Sequence, residues 1–356
     1  MGEAAEKIVY RDLVHSLDAG EKAVLVTKLG PGGSEKRLFA EAELLGGGNL
    51  TSGMLAKAQE ALGTGNLQFT KETEEEFVFF EPCFPEPRLI VFGGGHISKP
   101  LVEFGAKVGF KTTVIDDRPS FANAGRFPLA ERVICESFER CFKLFDINAS
   151  SFIVIVTRGH KHDMLCLREV LRHNAAYVGM IGSKRRIKIV REQLLEEGYT
   201  EEQLQRLNAP IGVEIDAVTP EEIAVSIIAQ VISFRRKKTT KGGVSYGRVN
   251  WPELDREVID ELAKVKGEPK AIATILSTKG SAPRKAGAKM LVFSDGRTLG
   301  SIGGGCSEGE VILAARDVLR DGKYRFQTVD MTGYVAEEEG MVCGGIMEVV
   351  IEYSHF

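Results

Sequence analysis

The two ends of the chain repeat one another. "GGGNLTSGMLAKAQEAL" (46–62) falls residue for residue on "GGGCSEGEVILAARDVL" (303–319). "KAVLVT" (22–27) parallels "KAIATI" (270–275), and "FVFFE" (77–81) matches "EVVIE" (348–352). A repeat on this scale constrains the fold more than any single motif, because strand, glycine turn, helix and strand must each be built twice. Two related α+β units are therefore expected, and 356 residues leave room for a third domain between them. The boundaries read as 1–85 for the first unit and 86–236 for the middle domain. A polar, glycine-bearing linker follows at 237–250, then the second unit at 251–356.

In the middle, "PRLIVFGGGHISKPLVEFGAKVGFKTTVIDDR" (87–118) reads as strand, tight turn, helix, strand. The turn carries Gly93, Gly95 and His96 in a G-x-G-x-x-G/A pattern, with Ser98 standing for the third small residue. Glycines there allow a pyrophosphate to approach the helix N-terminus. Asp116 ends the second strand at the distance from which an acid reaches a ribose hydroxyl. Further strands at 131–135, 151–157 and 175–182 alternate with helices, which implies a parallel sheet wound on both faces, a Rossmann-like α/β domain. Ligands on such a sheet bind beyond the carboxyl ends of its strands. "TRGHKHD" places Arg158, His160, His162 and Asp163 there, and "GSKRR" places Ser183, Lys184 and Arg185. The histidines lack an assured third ligand, so no metal is assigned. Contact with an anion or cofactor, through His160 in particular, is expected; the alternative is a purely structural polar loop capping the helix that starts near Asp163.

A net charge of −4 gives no electrostatic footprint for nucleic acid. No apolar run reaches the ~20 residues of a membrane span. "MGEAAEKIVY" is acidic where a signal peptide is basic and then apolar, so a cytoplasmic location is expected. The six cysteines show no CxxC pair. Cys135 and Cys166 sit in apolar patterns and are expected in the core, while Cys83 and Cys141 carry no distinguishing context. Cys306 and Cys343 differ, because each neighbours a run of glycine: Gly303, Gly304 and Gly305 for one, Gly344 and Gly345 for the other. Ser307 and Glu310 have the spacing of a capping box, which would start a helix just after Cys306 and set its thiol near the positive helix end. The first copy has Asn49 in place of Cys306. It also lacks a recognisable "KGSAPRKAGAK" loop (279–289), with Arg284 as a candidate anion ligand, and any equivalent of "GMVCGG" (340–345). One copy keeps the fold and the other keeps the chemistry.

Together these motifs resemble the XdhC/CoxI family of xanthine dehydrogenase accessory proteins. "TKGSAPRKAGAKM", "GSIGGGC" and "EEGMVCGGIMEV" are similar to its accessory, CoxI-like domain. "VFGGGHISKPL", "VIDDR", "IVTRGHKHD", "YVGMIGSKRR" and "VTPEEIAVSI" are similar to its Rossmann domain. The usual order is accessory domain first. Here a degenerate copy stands first and the complete one last, as in the subset associated with aldehyde oxidoreductase maturation. The resemblance implies a factor that binds molybdenum cofactor (molybdopterin), takes part in its sulfuration and inserts it into an apo molybdenum hydroxylase. Cys306 and Cys343 are the implied functional thiols. A cysteine desulfurase is the candidate sulfur donor, and a nucleotide or dinucleotide the candidate Rossmann ligand. An accessory, chaperone-like role is favoured over independent catalysis. An NAD(P)-dependent oxidoreductase using Asp116, with His160 or His162 as general acid, is the alternative, and a docking scaffold a third reading. Self-association, if present, is expected as a two-fold homodimer.

Overall fold

The computed structural model describes residues 2–354 apart from 48, 237–239, 242–243, 246–248, 265–267 and 332–344. For residues 2–7, 240, 241, 244, 245, 306 and 307 it describes the backbone alone. The chain divides into two compact units, Met1–Phe84 with Lys238–Phe356, and Pro85–Lys237. The first copy comprises α1 (Gly2–Asp18), β1 (Ala23–Gly30), β2 (Gly33–Ala40), α2 (Glu41–Leu45), α3 (Ser52–Thr64), β3 (Gln68–Lys71) and β4 (Phe77–Cys83). The middle unit follows as β5 (Arg88–Phe92), α4 (Ser98–Lys107), β6 (Lys111–Asp116), β7 (Arg132–Cys135), β8 (Ser151–Ile155), α5 (His160–Val170), β9 (Tyr177–Met180), α6 (Lys184–Glu196), α7 (Glu201–Gln205), β10 (Leu207–Asn208) and α8 (Pro220–Arg235). A short hairpin, β11 (Thr240–Lys241) and β12 (Val244–Ser245), precedes the second copy. That copy contains α9 (Arg256–Leu262), β13 (Lys270–Gly280), β14 (Lys289–Phe293), β15 (Thr298–Gly300), α10 (Cys306–Asp321), β16 (Arg325–Asp330) and β17 (Gly345–Ser354).

The middle unit is a parallel sheet of order β10-β9-β8-β5-β6-β7. Alternate residues of β5 serve opposite faces: Leu89 and Val91 pack with Leu101 and Val102 of α4 and Ile227 and Val231 of α8, and Ile90 and Phe92 with Leu167 of α5 and Val190 of α6. Helices thus cover both faces, and each fully buried Val, Ile or Leu contributes ~1.5–3 kcal/mol. The chain runs one way from β5 to β7 and then returns to β8. The switch point, where such sheets bind ligands, is therefore the crevice between the ends of β5 and β8. Helix α8 starts as its sequence dictates, with Thr219 and Glu222 forming a capping box and Pro220 in the first turn. Cys166 is buried as expected, but Cys135 is exposed. It ends the edge strand β7, where Ile134 takes the inward position and its neighbour must point out.

The other unit holds both copies. Their sheets have the orders β2-β1-β4-β3 and β15-β14-β13-β17-β16, so the second repeats the first and adds β15 at one edge. Pairing fixes the correspondence: Leu25 lies opposite Glu81 and Ile272 opposite Glu352, while Thr27 lies opposite Lys36 and Thr274 opposite Lys289. Leu25 therefore corresponds to Ile272, and the alignment of 22–27 with 270–275 is one residue out of register. A one-residue slip exchanges the two faces of a strand. Val24 and Val26 pack under α3 as Ala271 and Ala273 pack under α10. On the other face the two sheets meet. Leu25, Ala23 and Tyr10 join Ile272, Leu291 and Val258, and the equivalent pairs Leu29 with Leu276 and Phe79 with Val350 form a separate cluster. Two buried ion pairs cross this interface in matching senses, Lys36 to Glu352 and Lys289 to Glu81 at 2.6 Å. The copies are thus related by a pseudo-two-fold axis, as the halves of an isologous dimer would be.

Among the described residues no helix is long and apolar enough to cross a membrane.

Candidate functional site

Residues singled out in the sequence converge at two places, one in each unit. In the middle unit the turn after β5 sits at the switch point. Gly93 has φ 107°, and a Cβ there would lie 2.5 Å from Val156 O at the end of β8. A Cβ on Gly94 would lie 2.1 Å from Phe121 O. Gly95 has open space, and His96 beside it is exposed. Ser98 is fully buried and donates to Gly93 O, which explains a hydroxyl in place of the third small residue. Asp116 is 1% exposed and spends both oxygens inside the protein. Gly94 N donates to Oδ2 at 2.8 Å, while Arg118 Nε and Nη2 grip Oδ1 and Oδ2 at 2.8 and 2.9 Å. Arg126 closes over the same turn through Gly94 O at 2.9 Å and Gly95 O at 3.2 Å. Asp116 thus pins the glycine turn, and the open positions are Gly95 and His96.

Neighbouring loops are pinned in the same manner. Arg158 pairs with Asp117, and its hydrogen bonds hold that carboxyl down at about 2. Helix α5 begins at His160 with Gly159 as N-cap, so Asp163 lies inside the helix and does not cap it. Its carboxylate is fully buried, accepts from Thr157 Oγ1 and pairs with Arg186, tying the loop after β8 to α6. Burial pushes the Asp163 carboxyl up, against the opposing pull of Thr157 and Arg186. His160 reaches α6, with Nε2 3.3 Å from Gln193 Oε1, and His162 packs its ring 5.2 Å from that of Phe138. Among the described residues no cluster of three or more His, Cys, Asp or Glu is placed to hold a metal.

In the second copy the glycine turn, the 279–289 loop and the start of β17 at Gly345 come together. A Cβ on Gly303 would lie 2.6 Å from Pro283 Cγ, and one on Gly345 would lie 2.6 Å from Ser281 O. The 279–289 loop therefore lies between the glycine turn and the start of β17. Strand β13 reaches that position through a bulge between Ile275 and Ser277 that re-aims its far end. Arg284 is engaged by Glu253 at 2.5 Å. Gly303, Gly304 and Gly305 have φ of 145°, 79° and 64°, a succession that side-chain-bearing residues resist at ~1–2 kcal/mol each. Helix α10 begins at Cys306 with Gly305 as N-cap and without a side-chain cap. The expected Ser307–Glu310 capping box is not the device used: Glu308 Oε1 accepts from Ser301 Oγ, Ile302 N and Gly304 N. Cys306 occupies the first helical position of this 16-residue helix. Cys343 and Gly344 lie outside the described residues.

The first copy differs despite its three glycines. Gly46 has φ −81°, and α3 starts at Ser52 behind an ordinary Thr51 cap. In place of the 279–289 loop, β1 and β2 join through a two-residue turn after Gly30, which pairs with Gly33. Around Asn49 and Thr51 the surface charges are paired among themselves, Arg37 with Glu35 and Lys28 with Glu76.

Sequence reading misses the roles of Arg118 and Arg126, and takes Glu308 only as a first-turn acid opposing thiolate formation at Cys306. Each acts by bonding to backbone or to an acid nearby in sequence, and no motif marks that role. Glu308 alone had a signal, since it aligns with the capping residue Thr51 of the first copy.

Comparison with known proteins adds the following. The description "XdhC Rossmann domain" matches residues 89–231, and "XdhC and CoxI family" matches residues 263–330. A protein of Escherichia coli K12 named uncharacterized protein YqeB is 32% identical over 168 residues, 47% of this chain and 30% of that one. A Bacillus subtilis 168 protein, named as a probable xanthine dehydrogenase component, is 30% identical over 190 residues, 53% of this chain and 55% of its own. The molybdenum cofactor insertion chaperone PaoD of Escherichia coli K12 is 22% identical over 158 residues, 44% and 42% respectively. The matches thus span about half or less of each curated relative. A solved structure described as a xanthine dehydrogenase from Bacillus halodurans is 31% identical, covers 64% of this chain and 66% of that one, and superposes with a TM-score of 0.45.

Proposed function

The chain belongs to the XdhC and CoxI family, and on that premise we propose that it is a maturation factor for a molybdenum hydroxylase of the xanthine dehydrogenase or aldehyde oxidoreductase type. In this reading it binds molybdenum cofactor, protects it, assists its sulfuration with sulfur from a cysteine desulfurase, and hands it to the apo-enzyme. The name of one relative, a molybdenum cofactor insertion chaperone, supports the role. The observation that carries it is the contrast between the copies. Of two units with one strand order, one alone sets a cysteine at the first position of a helix behind three left-handed glycines.

The residues fit such a ligand in part. Among the described residues no atom lies within 4 Å of where a Cβ on Gly304 or Gly305 would be, which supports approach of a bulky planar group to the backbone beside Cys306. A thiolate suits a soft metal centre or a sulfur in transit. When bound, the cofactor would supply a molybdenum held by a dithiolene. The N–H groups of Ile302 and Gly304 already serve Glu308, and Arg284 serves Glu253, so the phosphate end is not assigned to them. Cys306 would hold the reactive end, and Cys343, with Gly344 and Gly345, would complete the site.

In the Rossmann-like unit a nucleotide or dinucleotide would lie at the switch point, with phosphate over Gly95 and His96 and with His160 nearby. Asp116 is not assigned to its ribose, because both carboxylate oxygens are occupied. That removes the main support for an NAD(P)-dependent oxidoreductase.

The test is to denature protein purified from a molybdate-replete host and identify the released small molecules. A pterin is expected. A nicotinamide dinucleotide without pterin would overturn the reading in favour of the oxidoreductase.

A further inference from the structure

The helix that carries Cys306 starts one turn earlier than its counterpart. Gly305 aligns with Gly48, and Glu308 with Thr51, yet α3 begins only at Ser52 while α10 begins at Cys306. Something must stabilise three extra residues of helix preceded by three left-handed glycines. A bare glycine N-cap supplies no side-chain acceptor for the first turn.

Glu308 fills that role in an unusual direction. From the third helical position its carboxylate reaches back past the cap. The single oxygen Oε1 gathers Ser301 Oγ at 2.7 Å, Ile302 N at 3.1 Å and Gly304 N at 2.9 Å. Ser301 Oγ in turn accepts from Gly303 N at 3.1 Å. Ile302 is fully buried in the core beneath α10, so the carboxylate ties the turn to a fixed point. A negative group there also suits the positive end of the helix. The first copy has a threonine at this position, and it caps in the ordinary way by accepting from Met54 N.

We propose that Glu308 is the positioning residue of the thiol turn: through Oε1 it holds residues 301–304 in the conformation that makes Cys306 the first residue of α10, without itself touching the ligand. This deepens the reading of Cys306 as the functional thiol and rests on it for its biological meaning. The physical claim about the turn stands apart.

The test uses the full chain with three substitutions, Glu308→Ala, Glu308→Gln and Ser301→Ala. Two readouts need no cofactor: hydrogen exchange of peptides covering 300–308, and the rate at which iodoacetamide alkylates Cys306, resolved by mass spectrometry of its own peptide. Glu308→Ala should speed exchange at Ile302 and Gly304 by roughly tenfold or more, as expected for loss of hydrogen bonds in a locally opening segment, and should change the alkylation rate. Glu308→Gln keeps an acceptor oxygen and should restore both toward wild type. Ser301→Ala should fall between them, and it provides the reading if Glu308→Ala does not fold. Cofactor retention should follow the same order. Unchanged exchange and alkylation in Glu308→Ala, or Glu308→Gln as damaged as Glu308→Ala, would overturn the proposal. If instead Glu308→Ala loosens the turn while Cys306→Ser still matures the client, the positioning role stands and the functional assignment of the thiol fails.

Discussion

Consider removing one cation from the interface between the two copies, by Lys289→Met. Lys289 Nζ lies 2.6 Å from Glu81 Oε1 and 2.8 Å from Thr274 Oγ1, and the two charged side chains are 6% and 5% exposed. At an effective dielectric of about 20 the gross attraction at 2.6 Å is roughly 6 kcal/mol. Desolvation of the two ions offsets most of that, so the pair adds little net stability. Deleting one partner is another matter. It leaves a carboxylate buried beside Leu25 and Cys83, at a cost of about 3–5 kcal/mol. The same Glu81, acting after burial itself, helps to push the Cys83 thiol up to about 12. Replacing both ions, with Glu81→Leu added to Lys289→Met, should recover most of the loss, because well-packed apolar substitutes of similar volume are often neutral. Urea unfolding followed by Trp251 is the natural assay. It is the only tryptophan in the chain, belongs to this unit and packs edge-on against Phe84. A single-variant loss below about 1 kcal/mol, or a double variant that loses the sum of its parts, would refute the description of this pair as buried and coupled.

Lys36→Met strikes the pseudo-symmetric pair and should cost a similar amount by the same assay; a negligible loss would show that the two-fold relation does not extend to energetics. Gly94→Ala should destabilise the middle unit in thermal melts, since its Cβ meets Phe121 O. Gly95→Ala should leave the melt unchanged and weaken nucleotide binding alone, read by calorimetry. Arg158→Ala should let the Asp117 carboxyl return toward the ordinary ~3.9 in a carbon-13 NMR titration. Because the folded carboxyl is depressed, this pairing stabilises at pH above about 4 and is lost as pH falls toward about 2, so wild type and variant should differ most at neutral pH and converge in acid.

The parts of this structure that the sequence announces are those in which local chemistry and fold agree. The glycine turn after Leu89–Phe92, the capping box at Thr219 and the strands ending at Asp116 and Ile155 all carry their own signals. The repeat was legible as well, but not its register. Residues 23–27 are buried on both faces, between a helix and the other sheet, so no alternation marks which side chain faces which. The packing of one copy on the other was hidden for a related reason. Lys36, Glu81, Lys289 and Glu352 look like solvated surface charges in sequence, and only tertiary structure brings each to its partner. In the thiol turn, "GGGN" and "GGGC" look alike. They differ in backbone conformation, Gly46 at φ −81° and its counterpart Gly303 at 145°, and Glu308 stands where the first copy has Thr51.

On the proposed function, the working chemistry of this chain resides in the cysteine turn of the second copy. The most direct measurement compares activation of the apo-hydroxylase by wild type, Cys306→Ser and Asn49→Cys/Cys306→Ser, with Cys166→Ser as the buried-cysteine control. Circular dichroism should show every variant folded. Wild type and Cys166→Ser should yield active enzyme. Cys306→Ser should not, and a cysteine at position 49 should fail to rescue it, since that copy opens its glycine run with Gly46 at φ −81° and joins β1 to β2 by a two-residue turn where the second copy has the 279–289 loop. Active hydroxylase from Cys306→Ser at the wild-type level would contradict the account.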